Sequence, residues 1–402
     1  MVPRPHAPAR HRPCLLACVG PALLILGLLA GCREADRATP PMAKAADRAH
    51  HVDEATCAKC HEGHAASYFH SAHALTSSRP TPATVKGRFD AEGNRMTTID
   101  PNVSFLMERL KDDFFQTALV TTPARTLQRK ERIDVVVGSG RKGQTYLFWD
   151  ADRLFELPVS TWTATGEWMN SPGYPDGSAN FDRGASDRCL ECHATSFESL
   201  SPPRNRFARD SLRLGISCQK CHGPASRHVA RFEQNPRANG GPTDIVNPAK
   251  LPRERQIDLC ALCHAGVGKS LTPPLSFAPG DVLAKHLAIT PPSADAPLDP
   301  HGSQVQALLG SRCFQSSGTM TCTTCHDVHQ TQRSVTDQSA NCRACHAPDN
   351  CGRFASLGAA ITQSCVSCHM PLETTEKIVM RINGRKVQPQ VRNHRIGIYP
   401  EQ

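Results

Sequence analysis

The chain has 402 residues, of which 19 are cysteine, and its formal net charge is +9. Aromatic residues make up 5% of it, while glycine and proline number 27 and 32. The length suggests two or three domains, but this composition argues against an ordinary core filled by side chains alone. We therefore expect a bound apolar group to occupy part of the interior.

The amino terminus has the layout of an export signal. Three arginines precede an apolar run from Cys14 to Ala30, which leads into Leu29-Ala30-Gly31-Cys32. This pattern predicts a signal peptide over residues 1–31 that is cleaved during export. The last four residues resemble a bacterial lipoprotein box, which implies acylation of Cys32. Soluble export and an uncleaved helix, at the lower length limit for a membrane span, are the alternatives.

Residues 32–52 have the composition of a flexible tether. Each buried CH₂ of an acyl chain on Cys32 would contribute about 0.8 kcal/mol, so several chains would hold the protein at a membrane surface. Arg33 follows the box in place of Asp, which favours the outer membrane in bacteria with two membranes. We predict an exported protein of the bacterial cell envelope, lipid-anchored to the outer membrane and facing the periplasm or the cell surface.

Seven copies of Cys-x-x-Cys-His use fourteen of the 19 cysteines. This pentapeptide is the attachment signal of c-type haem. Its two thiols form thioethers with the porphyrin, and the histidine is the proximal ligand of the iron. We predict seven covalently attached haem c groups, numbered like their motifs. The motifs are Cys57-Ala-Lys-Cys60-His61, Cys189-Leu-Glu-Cys192-His193, Cys218-Gln-Lys-Cys221-His222, Cys260-Ala-Leu-Cys263-His264, Cys322-Thr-Thr-Cys325-His326, Cys342-Arg-Ala-Cys345-His346 and Cys365-Val-Ser-Cys368-His369.

Two other interpretations of these cysteines fail. Structural zinc uses paired Cys-x-x-Cys units, but it does not need a histidine after every second cysteine. A disulfide scaffold does not explain the constant spacing. Seven haems would also bring fourteen propionates, which reverse the positive charge of the polypeptide, so we predict no nucleic-acid partner.

Motif 1 lies in a first haem segment, residues 53–84, and a β-rich haem-free region spans residues 85–185. Alternating polar and apolar runs predict strands in this region. The acidic turn Lys111-Asp112-Asp113 favours a hairpin between the first two runs, with one amphipathic helix as the alternative. The predicted strands are Val103–Arg109, Phe114–Val120, Ile133–Val137, Tyr146–Trp149 and Leu154–Val159.

Within this region, Gly138-Ser-Gly140-Arg-Lys-Gly143 matches a dinucleotide-binding fingerprint. Such a site needs a helix to begin at the glycines, so that backbone N–H groups meet the pyrophosphate. The residues that follow, Gln144 to Trp149, have a β-rich pattern instead. We predict a hairpin turn here.

The other six motifs lie in a cytochrome domain of residues 186–402. Their spacing is irregular, which excludes a fixed structural repeat. Segments this short cannot build independent cores, so the haems must pack against one another. The predicted fold class is a multihaem cytochrome c of short helices and loops wrapped around stacked haems, with a β-hairpin-rich insertion between haem 1 and haem 2.

Each iron has a second axial position, and ten histidines of the mature chain lie outside the motifs. His329 follows His326 by one helical turn, which suits the iron of a neighbouring haem, and His228 stands similarly after motif 3. His50 and His51 fall in the tether, where we expect them to be solvent-exposed. The other six are His64, His70, His73, His286, His301 and His394.

Six longer segments around the motifs carry a family resemblance. They are Cys218-Gln-Lys-Cys-His-Gly-Pro-Ala-Ser-Arg-His228, Val246-Asn-Pro-Ala-Lys250, Ser311-Arg-Cys-Phe314, Thr321-Cys-Thr-Thr-Cys-His-Asp-Val-His329, Cys365-Val-Ser-Cys-His-Met-Pro371 and Asn393-His-Arg-Ile-Gly-Ile398. In these segments the chain resembles the multihaem cytochromes with a cytochrome c-552/4-type domain, which are related in haem packing to pentahaem nitrite reductase and octahaem hydroxylamine oxidoreductase. The resemblance implies that His73, His228, His329 and His394 are distal iron ligands, with His301 and His286 as further candidates.

Two functions remain, and the sequence leaves open whether the protein is an enzyme. The favoured one is electron transfer between envelope redox partners, such as other cytochromes. The alternative is a multihaem oxidoreductase that acts on a small nitrogen or sulfur compound at one open haem. The resemblance offers this alternative little support, because the chain has no Cys-x-x-Cys-Lys motif like that of the nitrite reductases. A sensor or storage role is the third possibility.

Two cysteines, Cys313 and Cys351, belong neither to a motif nor to the signal region. In an oxidising compartment they would form a disulfide that clamps haems 5 and 6. Two free thiols are the alternative, and nothing in the surrounding sequence marks either thiol as activated.

Overall fold

A computed structural model describes residues 50–202, 204–237, 244–266, 268–289, 298–331 and 334–399. The signal peptide, Cys32 and most of the tether lie outside these residues. Within them, no helix combines the length and apolar character that crossing a membrane requires. Residues 50–52 are docked on the protein, since Val52 N–H donates to Gln219 Oε1 over 2.9 Å and Ser226 N–H donates to His50 O over 3.2 Å.

The described residues form eighteen short or medium strands and eleven α-helices. The strands are β1 Ser77–Ser78, β2 Arg95–Thr97, β3 Val103–Leu110, β4 Asp113–Thr121, β5 Thr126–Arg132, β6 Val135–Val137, β7 Gly143–Asp150, β8 Arg153–Glu156, β9 Val159–Trp162, β10 Glu167–Asn170, β11 Ala194–Ser196, β12 Arg213–Leu214, β13 Lys269–Ser270, β14 Leu287–Ala288, β15 Leu372–Thr374, β16 Met380–Ile382, β17 Arg385–Val387 and β18 Gln390–Arg392. The helices are α1 Glu54–Ala58, α2 Glu62–Tyr68, α3 Asp187–His193, α4 Cys218–His222, α5 Ser226–Gln234, α6 Arg253–His264, α7 Gln304–Leu309, α8 Arg312–Ser316, α9 Val335–Cys342, α10 Phe354–Leu357 and α11 Cys365–His369.

Two antiparallel sheets form what we call the β region, centred on residues 85–185. One sheet has the order β2-β3-β4-β5, and the other has the order β1-β6-β7-β9-β10-β16-β17, with β8 paired to β7. Their facing sides share one hydrophobic core, which includes Phe105 from β3, Tyr146 from β7 and Trp168 from β10. Alternate burial along β3 explains why its sequence alternates.

The predicted strands Val103–Arg109, Phe114–Val120, Ile133–Val137 and Tyr146–Trp149 correspond to β3, β4, β6 and β7. The predicted strand Leu154–Val159 is wrong, because the chain forms two strands there, β8 and β9, with Leu157 and Pro158 between them. β3 and β4 pair from Val103↔Val120 to Leu110↔Asp113, so the single amphipathic helix is wrong and the hairpin is right. The glycine-rich segment is also a hairpin turn, because β6 pairs antiparallel with β7 on either side of it. Gly138 and Gly140 adopt φ values of +103° and +79°, a conformation that a side chain would strain.

The larger sheet extends beyond residues 85–185. β1, which lies within the first haem segment, pairs with β6, and β16, which follows motif 7, pairs with β10 through Asn170↔Arg381. A second cluster packs Leu147 and Leu154 of the sheet against Leu190 of α3. The β region is therefore tied to both ends of the haem-binding sequence and to motif 2.

The part of the chain that carries motifs 2–7, here called the motif region, consists of short helices. α6, with 12 residues, is long enough to hold a complete motif in its last two turns. Isolated helices of this size are only marginally stable in water, so they depend on what packs against them. Their own apolar packing is modest: a small cluster forms around Leu262 and Leu283.

Candidate haem sites

Local helical structure places the two thiols and the imidazole of each motif where they can bind one porphyrin. The backbone N–H of the motif histidine donates to the carbonyl of the first cysteine, over 2.9 Å in motif 1 and 3.0 Å in motifs 5 and 6. Residues three and four apart lie on one helix face. Both thiols and the imidazole therefore point to the same side. In motif 2, Ser186 caps the helix by accepting a hydrogen bond from Cys189 N–H.

The structure pairs four motif histidines with four histidines from outside the motifs. Two imidazoles bound to opposite sides of one metal, through bonds of about 2.0 Å, have their ring centres roughly 6 Å apart. All four pairs meet this separation. The ring-centre distances are 6.3 Å for His61–His228, 6.2 Å for His222–His329, 6.0 Å for His264–His73 and 6.1 Å for His326–His394.

Backbone carbonyls orient several of these rings. Nδ1 of His222 lies 2.8 Å from Val246 O, and Nδ1 of His369 lies 2.7 Å from Gly397 O. His394 Nδ1 lies 3.2 Å from Arg392 O. Because a carbonyl only accepts, Nδ1 must carry the proton, and Nε2 keeps its lone pair for iron. This is the usual outer hydrogen bond of metal-binding histidines.

Burial favours the neutral form of several of the paired imidazoles. It lowers the pKa of His264 to about 4, with the neighbouring His73 and His394 as further causes. Burial is also the main cause that lowers the pKa values of His73, His326 and His394. A neutral imidazole is the form that binds a metal.

His193 of motif 2 is held by the segment that leads into β1. Its Nδ1 lies 2.9 Å from Thr76 Oγ1, and its backbone carbonyl accepts a hydrogen bond from the Ser77 hydroxyl. Burial lowers the pKa of His193, a hydrogen bond to the backbone carbonyl of Thr76 raises it, and His301 lowers it. His301 also lowers the pKa of His264, so it lies in the neighbourhood of both motif histidines.

The remaining candidates lie in other settings. His286 has protein partners at both nitrogens: Nε2 is 3.3 Å from Asp281 Oδ2, and Nδ1 is 3.2 Å from Thr272 Oγ1. The ring of His64 is 4.8 Å from that of His329, which is too short to enclose an iron. In the part of the chain that the structure describes, no second imidazole pairs with His346 or His369.

Among the residues that the structure describes, no two cysteines form a disulfide. Cys313 and Cys351 are both free, which contradicts the predicted disulfide between them. Cys313 lies close to Cys325 and Cys342, the thiols of motifs 5 and 6, and influences their pKa values.

These residues fit haem c. The thiols and proximal imidazole of each motif lie on one helical turn, and four motif histidines have a second imidazole at the distance that an iron between the rings would require. The sequence had identified all of these histidines but not their partners. It also missed Thr76, Val246 O and Gly397 O, because neither a single threonine nor a backbone acceptor leaves a signal in residue type.

The structural neighbours of this chain are multihaem cytochromes. The crystal structure of the outer cell wall cytochrome OcwA matches with a TM-score of 0.55 at 15% identity, over 86% of this chain and 79% of that one. The undecaheme cytochrome from the S-layer of Carboxydothermus ferrireducens matches over 87% of this chain and 52% of its own length, at 15% identity and a TM-score of only 0.38.

A sequence-family comparison agrees with this class over a limited stretch. The family described as cytochrome c554 and c-prime matches residues 170–223, which contain motifs 2 and 3. No curated protein matches the chain. At this level of identity, the likeness to OcwA concerns the fold.

Proposed function

We propose that this protein carries electrons through the bacterial cell envelope along seven covalently bound haems. The observation that carries the proposal is the set of four imidazole pairs with ring centres 6.0 to 6.3 Å apart. An iron with an imidazole on each face has no open position for a substrate. It changes oxidation state without exchanging ligands, which suits electron transfer.

The four pairs assign the axial ligands of four haems. Haem 1 takes His61 and His228, haem 3 takes His222 and His329, haem 4 takes His264 and His73, and haem 5 takes His326 and His394. We assign His301 to haem 2, opposite His193, because the two lie near each other. We leave His286 out of the ligand set, since both its nitrogens have protein partners. His346 and His369 are the proximal ligands of haems 6 and 7.

Contacts between motifs indicate which haems are neighbours, because thiols that touch bring the edges of their porphyrins together. The sulfurs of Cys57 and Cys218 lie within 4.8 Å of each other. The thiols of Cys192 and Cys263 lie close enough for each to influence the pKa of the other, and so do those of Cys260 and Cys322. Haem 1 therefore adjoins haem 3, and haem 4 adjoins both haem 2 and haem 5.

Hydrogen bonds between motif segments support the same neighbours. Gln219 Nε2 donates to Glu54 Oε1 over 2.9 Å, between motifs 3 and 1. Arg188, beside motif 2, donates to Leu262 O in motif 4. Arg253 Nε, at the start of α6, donates to Met320 O over 2.8 Å, just before motif 5.

The chain of contacts continues to the carboxyl-terminal motifs. Asn341 Nδ2 donates to Cys325 O over 3.0 Å, from the segment of motif 6 to motif 5. Ser339 Oγ accepts from Val366 N–H of motif 7 over 3.2 Å. Lys220 of motif 3 lies near Cys263 of motif 4, which supports haems 3 and 4 as neighbours. The proposed order is 1-3-4-5-6-7, with haem 2 as a branch at haem 4.

The site of action follows from the chemistry of the amino terminus. Acylation of Cys32 would hold the protein at the outer membrane, with the haems on the periplasmic or cell-surface side. OcwA, an outer cell wall cytochrome by its title, supports a location in the envelope. The partners that we propose are other redox proteins or cytochromes, which exchange single electrons with exposed haem edges.

Haem quantitation and electron paramagnetic resonance of the exported, oxidised protein test the proposal. We expect seven haems per chain and low-spin signals from at least haems 1, 3, 4 and 5. Bare polypeptide, or mostly high-spin iron, would refute electron conduction by this route. A single high-spin haem that binds small nitrogen or sulfur compounds would instead favour the oxidoreductase.

A further inference from the structure

The outer hydrogen bond of His193 differs in kind from those of His222 and His369. In the latter two, Nδ1 meets a backbone carbonyl, over 2.8 and 2.7 Å. In His193, the closest partner of Nδ1 is the Thr76 hydroxyl at 2.9 Å, and the Thr76 carbonyl is farther away, at 3.4 Å. The closest partner of this motif histidine is therefore a side chain, which a substitution can remove.

The backbone around Thr76 fixes the position of this hydroxyl. Thr76 N–H donates to His73 O over 3.2 Å, and Thr76 O accepts from Gly138 N–H over 2.7 Å. The adjacent Ser77 hydroxyl donates to His193 O and accepts from Gly215 N–H over 2.9 Å. Hydrogen bonds from three separate segments thus hold Thr76 against the imidazole.

We propose that Thr76 is a positioning residue for haem 2, whose hydroxyl accepts the Nδ1 proton of His193 and sets the electron donation of that ring to iron. The inference rests on the proposed function, which places a haem at motif 2. When Nε2 binds iron, a neutral imidazole carries its proton on Nδ1. A partner that accepts this proton fixes the ring and raises its basicity as a ligand.

The direction of the effect follows from the charge on the iron. A more basic imidazole stabilises the ferric form more than the ferrous form, so loss of the hydrogen bond favours reduction. One neutral hydrogen bond corresponds to a change of about twofold to tenfold in the reduction equilibrium of haem 2. The tenfold limit equals about 59 mV for one electron.

Thr76 also links two haems that are neighbours in the proposed order. His73, the proposed distal ligand of haem 4, lies on the same turn and accepts the N–H of Thr76 through its carbonyl. Removal of the hydroxyl leaves this backbone bond intact. The change in reduction equilibrium should therefore be confined to haem 2.

A redox titration of the full-length holoprotein, followed by its low-spin resonance signals, tests the inference. In Thr76→Val, which keeps the shape but lacks the hydroxyl, we expect one component to move to higher potential while all seven haems stay bound. Thr76→Ser should restore the parent curve. Thr98→Val is the control, because Thr98 is a buried threonine whose hydroxyl bonds Asp100 O and Val103 O in the β region.

Each outcome decides the matter. Selective loss of haem 2 in Thr76→Val, with Thr76→Ser intact, would also support a positioning role. A titration of Thr76→Val that superimposes on the parent curve, with seven haems bound, would overturn the inference and leave the proposed function standing. A parent protein without haem would overturn the proposed function itself.

Discussion

The β region and the motif region of this protein are stabilised in different ways. In the β region, large side chains such as Phe105, Tyr146 and Phe148 are at most 1% exposed and pack between two sheets. The motif region has short helices and a small apolar cluster around Leu262. The β region therefore has a core made of its own side chains, whereas the core of the motif region is complete only when haem is bound.

The strongest test of this difference between the two regions is to prepare the protein without haem. In a haem-free chain, we expect strands β3, β4 and β7 to keep slow amide exchange, because their core consists of side chains alone. Helices α3, α4 and α11 should exchange fast, since they lose the porphyrins they pack against. Hydrogen exchange with mass spectrometry measures this difference. Equal protection of the two regions without haem would contradict the account.

A single core substitution in the β region has the next largest effect. Phe105→Ala should lower the free energy of unfolding by about 3–5 kcal/mol, because it leaves a cavity between the sheets. Leu110→Ala, on the same strand but 53% exposed, should change it by less than about 0.5 kcal/mol. Urea unfolding followed by circular dichroism compares the two. An equal cost at both positions would show that the sheets are not packed as described.

Substitution of a distal histidine tests the proposed ligand assignment in the motif region. His228→Ala should leave the number of haems at seven and convert haem 1 from low spin to high spin, since His61 loses its opposite imidazole. His64→Ala is the matched control. His64 is also a non-motif histidine near a haem site, but its ring is only 4.8 Å from that of His329, which leaves no room for an iron between them. Low-spin haem 1 in His228→Ala, or a spin change in His64→Ala, would refute the assignment.

The smallest expected effect concerns an exposed ion pair in the larger sheet, between β17 and β10, which lie on either side of β16. Arg385 Nη2 of β17 lies 2.9 and 3.0 Å from the two carboxylate oxygens of Glu167 in β10. Hydrogen bonds from Thr165 and Arg385 lower the pKa of Glu167, so this stabilisation is present above the carboxyl's usual range and is lost as the pH falls below it. Because the pair is half-exposed, Arg385→Gln should cost less than about 1 kcal/mol at neutral pH.

Urea unfolding of Arg385→Gln at two pH values checks this small effect. The parent and the variant should differ at pH 7, and the difference should be smaller at pH 3, because lowering the pH moves Glu167 toward its protonated form. Lys386→Gln removes a neighbouring exposed charge that pairs with Glu376 rather than with β10, and it controls for charge loss alone. A larger cost at pH 3 than at pH 7 would have the wrong sign for this mechanism.

How far the sequence predicted the structure depends on the range of each interaction. The alternation of Val103, Phe105 and Met107 is local, and it predicted β3 and its hairpin correctly. The pairing of Asn170 with Arg381 joins positions far apart in the chain, and no local sequence pattern predicts it. The sheet therefore contains strands β16 and β17, which the sequence analysis had placed only within a cytochrome domain.

The same limit applies to the haem sites. Cys-x-x-Cys-His is a local pattern, so the motif residues could be named from the sequence. Which distal histidine faces which motif depends on how distant segments pack, as for His73 and His264. His286 shows the same limit from the other side: its residue type suits a ligand, while the partners at its nitrogens, Asp281 and Thr272, come from the tertiary structure.

An iron anomalous difference map of the crystallised holoprotein tests the central claim most directly. The account predicts seven iron sites, with irons 1, 3, 4 and 5 each between the two imidazoles assigned here, and with haem 4 adjacent to haems 2, 3 and 5. Irons that lie elsewhere would contradict the account. So would a structure in which haem 1 contacts haem 2 directly while haem 3 is remote from both.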